Sequence, residues 1–305
     1  MIRRNTPRIS FIGFGEAGQA IAAGLRDAGI ERVAAWDILF PESAGAQLKA
    51  AGETMGVRLA SSAGDAVREA DVIISAVTAA SSVDAALSVA PHLTGTPYYL
   101  DINSVSPGRK QETAKLLDER ARYVDVAVIA AIHPARHRTP LLLSGPHAEE
   151  ISPLLRELDM QFSVVSPETG SAAAIKMIRS VMIKGIEALT LECFLAAARA
   201  GVLEEVTASL KNNYPTLDWT KIADYNLERM ASHGERRAAE MEESAATLRE
   251  LGLDPLMIDS TVRRQREMGT LGKQEAVRRT LKSGRTAMLN AISIASRDRP
   301  DRPAT

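Results

Sequence analysis

The 305-residue chain lacks several features that would define its class. It contains a single cysteine, Cys193, so an intramolecular disulfide is impossible and a reducing compartment is favoured. Because residues 191–198 are mostly apolar, a buried thiol is expected at Cys193. No apolar run approaches the ~18 residues of a membrane span, and no hydrophobic segment typical of a signal peptide precedes the first predicted strand. These absences predict a soluble cytoplasmic protein.

The sequence also lacks an excess of charge of either sign. Its 37 basic and 38 acidic side chains give a formal net charge of −1. A surface that binds nucleic acid or an anionic membrane is typically rich in Lys and Arg. We therefore expect a small-molecule substrate and neither nucleic acid nor membrane as a partner, and no metal site is expected.

The first half of the chain alternates short apolar runs with amphipathic stretches. Strands are predicted at Arg8–Ile12, Arg32–Trp36, Val57–Ala60, Val72–Val77, Tyr98–Ile102, Val124–Ile129, Leu141–Ser144 and Phe162–Val165. Helices are predicted at Ala17–Ala28, Ala63–Glu69, Ser82–Ala90, Pro107–Arg122 and Ala148–Leu158. Apolar strands separated by helices indicate an α/β fold with a mostly parallel sheet that is covered on both faces.

After Pro167 the pattern becomes helical throughout. Helices are predicted at Ala172–Ala200, Leu203–Lys211, Trp219–Met230, Arg236–Leu251, Leu256–Glu267 and Lys273–Ala295. The length of the chain also favours two domains, because single domains usually hold ~100–200 residues. We predict a cofactor-binding domain at 1–167, an all-helical domain for substrate binding and dimerisation at 168–296, and a disordered tail at 297–305.

A glycine-rich motif follows the first predicted strand and opens the first helix. It is a G-x-G-x-x-G sequence made of Gly13, Phe14, Gly15, Glu16, Ala17 and Gly18. The three glycines allow a tight turn, a close approach of the backbone to a pyrophosphate, and close packing of helix on strand. The helix N-terminus favours an anion. The context predicts a Rossmann-type doubly wound sheet that binds a dinucleotide.

An acidic residue ends the second predicted strand. Asp37 lies nineteen residues after Gly18, where a carboxylate binds the ribose 2′-hydroxyl of NAD and repels the 2′-phosphate of NADP. Residues 38–41 contain no arginine that would accept that phosphate. NAD is therefore the expected cofactor, with NADP as the alternative, although Asp37 could also be an ordinary turn residue.

Two further segments resemble the β-hydroxyacid dehydrogenase family, which includes 3-hydroxyisobutyrate dehydrogenase and is related to 6-phosphogluconate dehydrogenase. The segment Asp101–Pro107 is similar to the family's D-x-S-[ST]-[IV]-x-P sequence. The resemblance implies that Ser104 contacts the nicotinamide end of the cofactor, with Asn103 beside it near the substrate. It also implies that Val77 and Thr78 contact the cofactor. As bare residues, 103–107 could equally be a helix start, with Ser106 as N-cap and a proline in the first turn.

The spacing from Gly170 to Lys176 also matches the family, and the resemblance implies that Lys176 is the catalytic residue. A lysine in apolar surroundings more readily gives up its charge and can pass a proton to or from a substrate oxygen. The family usually has asparagine four residues later, where this chain has Ser180, and Lys184 follows after four more. These three residues share one helix face and are expected to act on substrate together, unless they form a solvated basic stripe.

The segment that grips the substrate carboxylate in the family departs from its pattern. Its D-A-P-V-S-G-G sequence aligns with 125–131, where Ile129 and two alanines replace the serine and glycines. The anion is then held elsewhere, for which His133 and Arg136 are candidates, or the substrate is larger and more apolar. The loop 133–138 could equally be a solvated basic loop.

The helical half resembles a variant domain on uncharacterised, phosphogluconate-dehydrogenase-like relatives. His233, Arg237 and Glu240 share a predicted helix face. They could complete the substrate site, so His233 and Arg237 are taken as substrate-binding candidates, or they could form surface ion pairs of little energetic weight.

These observations predict an NAD(P)-dependent oxidoreductase that transfers hydride between the cofactor and a hydroxyacid or related alcohol. The alternatives are an oxidative decarboxylase of the 6-phosphogluconate dehydrogenase type, an imine reductase and a non-catalytic NAD-binding regulator. Because the long helix Ala172–Ala200 is apolar on most of its surface and must be buried somewhere, a homodimer is expected.

Overall fold

The structure, a computed structural model, describes residues 6–296. The chain divides into two compact units, and the division falls between Met177 and Ile178. The predicted tail at 297–305 lies outside the described residues. The assignment of cofactor binding to 1–167 and of substrate binding to 168–296 stays a prediction.

The first unit is built on one eight-stranded sheet. Its strands are β1 (Ile9–Ile12), β2 (Val33–Trp36), β3 (Arg58–Leu59), β4 (Val72–Ser75), β5 (Tyr98–Asp101), β6 (Arg122–Val128), β7 (Leu141–Ser144) and β8 (Phe162–Ser166). Their order in the sheet is β3-β2-β1-β4-β5-β6-β7-β8, and only the β6–β7 pairing is antiparallel among these strands. The strand order reverses between β1 and β4, which is where open α/β sheets bind ligands at the carboxyl ends of their strands.

Six helices connect these strands. They are α1 (Glu16–Asp27), α2 (Ala46–Thr54), α3 (Ala63–Val67), α4 (Ser82–Val89), α5 (Pro107–Leu117) and α6 (Ala148–Glu157). Ser106 caps α5 by accepting the N–H of Arg109, with Pro107 in the first turn, so the helix-start interpretation of this segment is confirmed. The expected extension of α5 to Arg122 is wrong. The helix ends at Leu117, because the next residue, Asp118, adopts a positive φ of 43° and the chain then enters β6.

Apolar side chains cover both faces of the sheet, as its buried strands predicted. One face packs Phe11, Phe14, Phe40 and Leu100 with α1 and α6, and the other packs Ile73, Tyr99 and Val89 with α3 and α4. The predicted fold class, a doubly wound, mostly parallel sheet followed by a helical region, is confirmed.

The second unit is helical throughout its described part. Helix α7 (Ser171–Ala200) contains the division between the units, and it is followed by α8 (Leu203–Asn213), α9 (Trp219–Glu250), α10 (Leu256–Gly272), α11 (Glu275–Arg278) and α12 (Arg285–Ala295). Two expectations are wrong here. The two helices predicted at Trp219–Met230 and Arg236–Leu251 form the single helix α9, and the helix predicted at Lys273–Ala295 is divided into α11 and α12. Gly284, with φ +80°, separates α11 from α12.

Cys193 is exposed, which corrects the expectation of a buried thiol. Its neighbours Leu191 and Phe194 are buried in the helical core. Residue 193 is about 200° around α7 from residue 191, so it lies on the opposite side of the helix. Within residues 6–296, no helix is long and apolar enough to cross a membrane.

Candidate cofactor and catalytic site

The glycine-rich loop joins β1 to α1 at the carboxyl edge of the sheet. Gly13 has φ +90°, and a Cβ there would lie 2.4 Å from the carbonyl oxygen of Ala76. A Cβ on Gly18 would lie 2.6 Å from the carbonyl oxygen of Gly13. Both distances are impossible for a real side chain, so the tight turn and the close helix packing require glycine at these two positions.

Gly15 differs from the other two glycines because a Cβ there would meet nothing within 4 Å. It immediately precedes α1 and has no side chain that could cap the helix. The space in front of the α1 N-terminus is therefore open at Gly15, and a helix N-terminus favours an anion. This open cradle at a helix N-terminus fits a dinucleotide pyrophosphate. Glu16 is exposed and Ala17 half-buried beside it.

Asp37 follows β2 and holds the glycine-rich loop. Its Oδ2 accepts the N–H of Phe14 at 2.7 Å, and its Oδ1 accepts the N–H of Leu39 at 3.0 Å. The ring of Phe14 is fully buried, so only its backbone could contact a cofactor. Asp37 is 9% exposed, and its carboxylate retains lone pairs that could also accept a ribose hydroxyl. The turn interpretation and the cofactor interpretation of Asp37 are thus compatible.

The ends of β4 and β5 are joined by Asn103. Its Oδ1 accepts the N–H of Val77 at 2.7 Å, and its Nδ2 donates to Ser75 Oγ at 2.9 Å. The side chain is buried and used inside the protein. These bonds fix the segment that carries Val77 and the exposed Thr78. Contact of Asn103 with substrate stays a prediction.

Lys176 and Ser104, which lie far apart in the sequence, meet in the first unit. Lys176 Nζ donates to Ser104 Oγ at 2.5 Å. Both residues are partly accessible. Because Ser104 follows β5, this contact places the lysine ammonium group beside a loop at the carboxyl edge of the sheet, the edge at which the glycine-rich loop also lies. A proton donor and acceptor at this edge can act on an oxygen of a bound molecule.

A fully buried lysine lies behind this edge and was not predicted. Lys110 on α5 is 1% exposed, and its Nζ lies 3.0 Å from Asp101 Oδ1 and 3.4 Å from Asp125 Oδ1. Tyr123 donates its hydroxyl to Asp101 at 2.8 Å, and burial raises the pKa of Tyr123 well above its ordinary value. The pairing of Asp101 with Asp125 in adjacent strands brings these carboxylates together. This cluster of buried charges depends on the sheet register, and local sequence spacing does not contain that register.

The candidates in the second unit are engaged with acidic partners. Lys184 Nζ lies 2.9 Å from Glu240 Oε2 and donates to Ser180 Oγ at 3.1 Å. Burial lowers the pKa of Lys184, although Glu240 opposes the shift. The expectation of a solvated basic stripe is wrong for Ser180 and Lys184, because both are buried. Their substrate-binding role stays a prediction.

Arg237 is also buried, and its guanidinium forms an ion pair with Glu187. Gln265 Nε2 donates to the same carboxylate at 2.8 Å. The expected alternative, a surface ion pair, is therefore wrong for Arg237. His233 lies half-buried on α9, and contact of either side chain with substrate remains a prediction.

The basic loop 133–138 is partly tied to other elements. Arg136 forms a 2.6 Å ion pair with Asp27, the last residue of α1, and the ring of His137 is buried against Gly24. Helix α1 is roughly 15–18 Å long, so Arg136 is tied to the end opposite the glycine-rich loop. His133 is exposed, and its role in anion binding remains a prediction.

Comparison with known proteins gives matches over most of the chain. Residues 8–164 match the family described as the NAD binding domain of 6-phosphogluconate dehydrogenase. Residues 197–268 match a domain of unknown function, DUF1932.

Solved structures also match most of the chain. A conserved hypothetical protein from Sinorhizobium meliloti 1021 is 34% identical over 96% of this chain and 98% of that one, with a TM-score of 0.77. A conserved protein of unknown function, described as structurally similar to 3-hydroxyacid dehydrogenases, is 31% identical over 86% of this chain and 97% of its own, with a TM-score of 0.69.

A more distant structure shares the fold. The 3-hydroxyisobutyrate dehydrogenase of Mycobacterium tuberculosis is 15% identical over 94% of this chain and 99% of its own, with a TM-score of 0.69.

The two family models and the structure that is 31% identical establish the family. The chain belongs to the β-hydroxyacid dehydrogenase family of NAD(P)-dependent oxidoreductases, with a helical C-terminal domain of unknown function.

Proposed function

We propose that this protein is an NAD-dependent dehydrogenase that reversibly oxidises a hydroxyacid or related alcohol, with Lys176 as its acid/base residue. The observation that carries the proposal is the 2.5 Å hydrogen bond between Lys176 Nζ and Ser104 Oγ. It joins the lysine to the same edge of the sheet at which the glycine-rich loop offers an open cradle. A non-catalytic NAD-binding protein would have no need for this pairing.

The chemistry follows from the groups at this edge. A bound nicotinamide supplies the hydride acceptor or donor. In the oxidation direction, neutral Lys176 Nζ takes the proton from the substrate hydroxyl as the carbonyl forms. In the reduction direction, the ammonium group returns that proton to the carbonyl oxygen and stabilises the negative charge developing there. Ser104 accepts a hydrogen bond from Nζ in the resting state and so orients it.

NAD is the cofactor that Asp37 favours. Its carboxylate directly follows β2, and residues 38–41 contain no arginine that could neutralise a 2′-phosphate. Because the carboxylate already fixes Phe14, its negative charge is held close to the cradle. A 2′-phosphate would therefore meet a fixed like charge.

The substrate is proposed to be larger or more apolar than a short 3-hydroxyacid. Ile129 stands where the family has the serine that contacts the carboxylate, and its side chain cannot donate a hydrogen bond. A carboxylate without that donor loses roughly 1–3 kcal/mol or more of binding free energy. We expect low specificity constants for 3-hydroxyisobutyrate and glycerate, and high values for either acid would contradict this part of the proposal.

The experiment is a panel of hydroxyacids and alcohols assayed with NAD for wild type, Lys176→Met and Lys115→Met. Lys115 is an exposed lysine on α5 and serves as the matched control. Lys176→Met is expected to lower kcat by at least ~100-fold, as for loss of a general acid–base group. Lys115→Met should leave kcat unchanged, and both variants should keep the wild-type Kd for NAD.

Other outcomes would identify the alternatives. Near-normal turnover in Lys176→Met would show that the proton comes from another group. Release of carbon dioxide would indicate an oxidative decarboxylase, and turnover of cyclic imines alone would indicate an imine reductase. Tight NAD binding without turnover of any substrate would indicate a non-catalytic regulator.

A further inference from the structure

Helix α7 is capped by side chains from the sheet. The first N–H groups of a helix have no partner within it and are usually satisfied by the residue just before it. In α7, the N–H groups of Ser171 and Ala174 do find local carbonyl oxygens. The two between them do not: Ala172 donates to Ser144 Oγ and Ala173 to Asp125 Oδ2, each at 3.0 Å.

These two caps are linked to each other and are buried. Ser144 ends β7 and donates its hydroxyl to Asp125 Oδ2 at 2.8 Å. Both residues are 0% exposed. A carboxylate at a helix N-terminus is also favoured by the partial positive charge there. The first turn of α7 is therefore attached to strands β6 and β7 at a fixed point, one turn before Lys176.

Lys110 connects this cap to the loop that carries Ser104. Its Nζ bridges Asp125 to Asp101, and it donates to the Asp101 carbonyl oxygen at 2.5 Å. Asp101 in turn accepts the N–H of Asn103 at 3.0 Å, one residue before Ser104. The Lys110 ammonium group thus links the start of α7, which carries Lys176, to the loop that carries Ser104. The side chains of these two segments meet in the Lys176–Ser104 hydrogen bond.

We propose that the sheet cap, defined as Asp101, Lys110, Asp125 and Ser144, is a positioning device that holds Lys176 against Ser104. This inference rests on the proposed role of Lys176. All four residues are buried, and they fix the start of α7 at one end and the Ser104 loop at the other. Two buried carboxylates with one buried lysine are costly to assemble unless each charge is paired, which makes the arrangement rigid.

The test uses Ser144→Ala, which removes the acceptor for Ala172 and the donor to Asp125. The matched control is Ser152→Ala, a buried serine on α6 that bonds only to the carbonyl oxygen of Ala148 in its own helix among the bonds described. The full chain is labelled with acetic anhydride, and peptide mass spectrometry gives the acetylation rate of Lys176 relative to exposed Lys115. This readout needs no substrate.

In Ser144→Ala, the Lys176 to Lys115 rate ratio is expected to rise roughly two- to tenfold, as for loss of one hydrogen bond that restrains the amine. Ser152→Ala should keep the wild-type ratio. A purely structural role would lower the unfolding temperature of both variants and leave the ratio unchanged, and that result would overturn the proposal.

Asp125→Asn gives a second route if Ser144→Ala does not fold, because it keeps the size of the side chain and removes the charge next to Lys110. The same rise in the ratio is expected, and an unchanged ratio would again overturn the proposal. The result is separable from the proposed function: if Lys176→Met keeps its turnover, the acid/base role fails, while the labelling ratio still reports whether the sheet cap positions the lysine.

Discussion

The two units each bury a lysine beside carboxylates, but they do so in different ways. In the first unit, Lys110 is 1% exposed and is shared by two fully buried aspartates that come from neighbouring strands. In the second, the Lys184 side chain is 7% exposed and pairs with Glu240, whose side chain is 24% exposed, across two helices. The sheet gathers charges from distant positions at one edge, whereas the partner of Lys184 is a carboxylate that water still reaches.

The largest expected effect is a difference in stability between variants of these two lysines. Lys110→Met leaves two carboxylates buried without a cation and is expected to lower the free energy of unfolding by ~3–5 kcal/mol. Lys184→Met leaves a carboxylate that can be hydrated, so we expect a loss of only ~1–3 kcal/mol. Urea denaturation of both variants beside wild type measures the difference. Equal losses would show that the depth of burial does not distinguish the two sites.

A second feature of the helical unit is an exposed apolar surface. Helix α7 exposes a stripe of large apolar side chains in the second unit, formed by Ile178, Met182, Ile183, Ile186 and Leu189. A continuous apolar stripe of this kind is typical of an interface. We expect a second copy of the chain to cover it, because the same helix in two copies offers a self-complementary surface.

Met182→Glu tests this expectation, since Met182 is 64% exposed at the middle of the stripe. Burying a methionine contributes ~1.5–3 kcal/mol, so the charged variant should weaken a dimer by at least about tenfold. Light scattering at micromolar concentration is expected to return a dimer for wild type and a smaller mass for the variant. Leu253→Glu, at an exposed leucine between α9 and α10, is the control. A monomeric wild type would refute the dimer.

How much the sequence predicts also differs between the units. In the first, seven of the eight observed strands begin within one residue of the predicted start, because buried parallel strands are continuous apolar runs bounded by turns. Helix α2 was not predicted, since Ala46–Thr54 has few apolar residues at helical spacing. In the second unit, two helices were predicted on either side of Gly234, where a Cβ would lie 2.3 Å from the carbonyl oxygen of Gln265. That glycine allows α9 and α10 to pack closely inside one continuous helix.

In the candidate site, too, the sequence predicts local motifs but not contacts between distant residues. The glycine-rich loop and the spacing from Gly170 to Lys176 are local patterns, so the sequence alone indicates them. The sheet cap depends on the register that places Asp101 opposite Asp125 and Asp125 opposite Ser144. Such pairings join residues that are 19 to 24 positions apart, and no local periodicity encodes them.

A smaller effect is expected at Asp37, which the local pattern did identify. Asp37→Ser should narrow the preference for NAD over NADP by roughly fivefold, which corresponds to about 1 kcal/mol of like-charge repulsion near solvent. Because Asp37 also holds the Phe14 N–H, the Kd for NAD should rise in the same variant. Asp37→Asn keeps an acceptor for that N–H and isolates the loss of charge. Tighter NADP than NAD binding by wild type would contradict the assignment.

The smallest expected effect is a pH dependence in the second unit. Burial lowers the pKa of Lys184 below its ordinary value of 10.5 in the folded protein. Glu240 opposes this shift, whereas the neighbouring Arg237 and Arg179 add to it. The unfolded chain therefore binds this proton more tightly than the folded one. Stability from this group is lost as the pH falls through the folded pKa and is regained as the pH rises toward 10.5.

Wild type should accordingly gain free energy of unfolding relative to Lys184→Met as the pH is raised from neutrality toward 10.5. Tyr98, Tyr99 and Tyr123, whose pKa values burial raises, titrate in both proteins and cancel from the difference. Urea denaturation of the two proteins across this range gives the measurement. If the difference in free energy stayed constant with pH, Lys184 would have the same proton affinity in the folded and unfolded states, and its burial among Glu240, Arg237 and Arg179 would carry no cost for its charge.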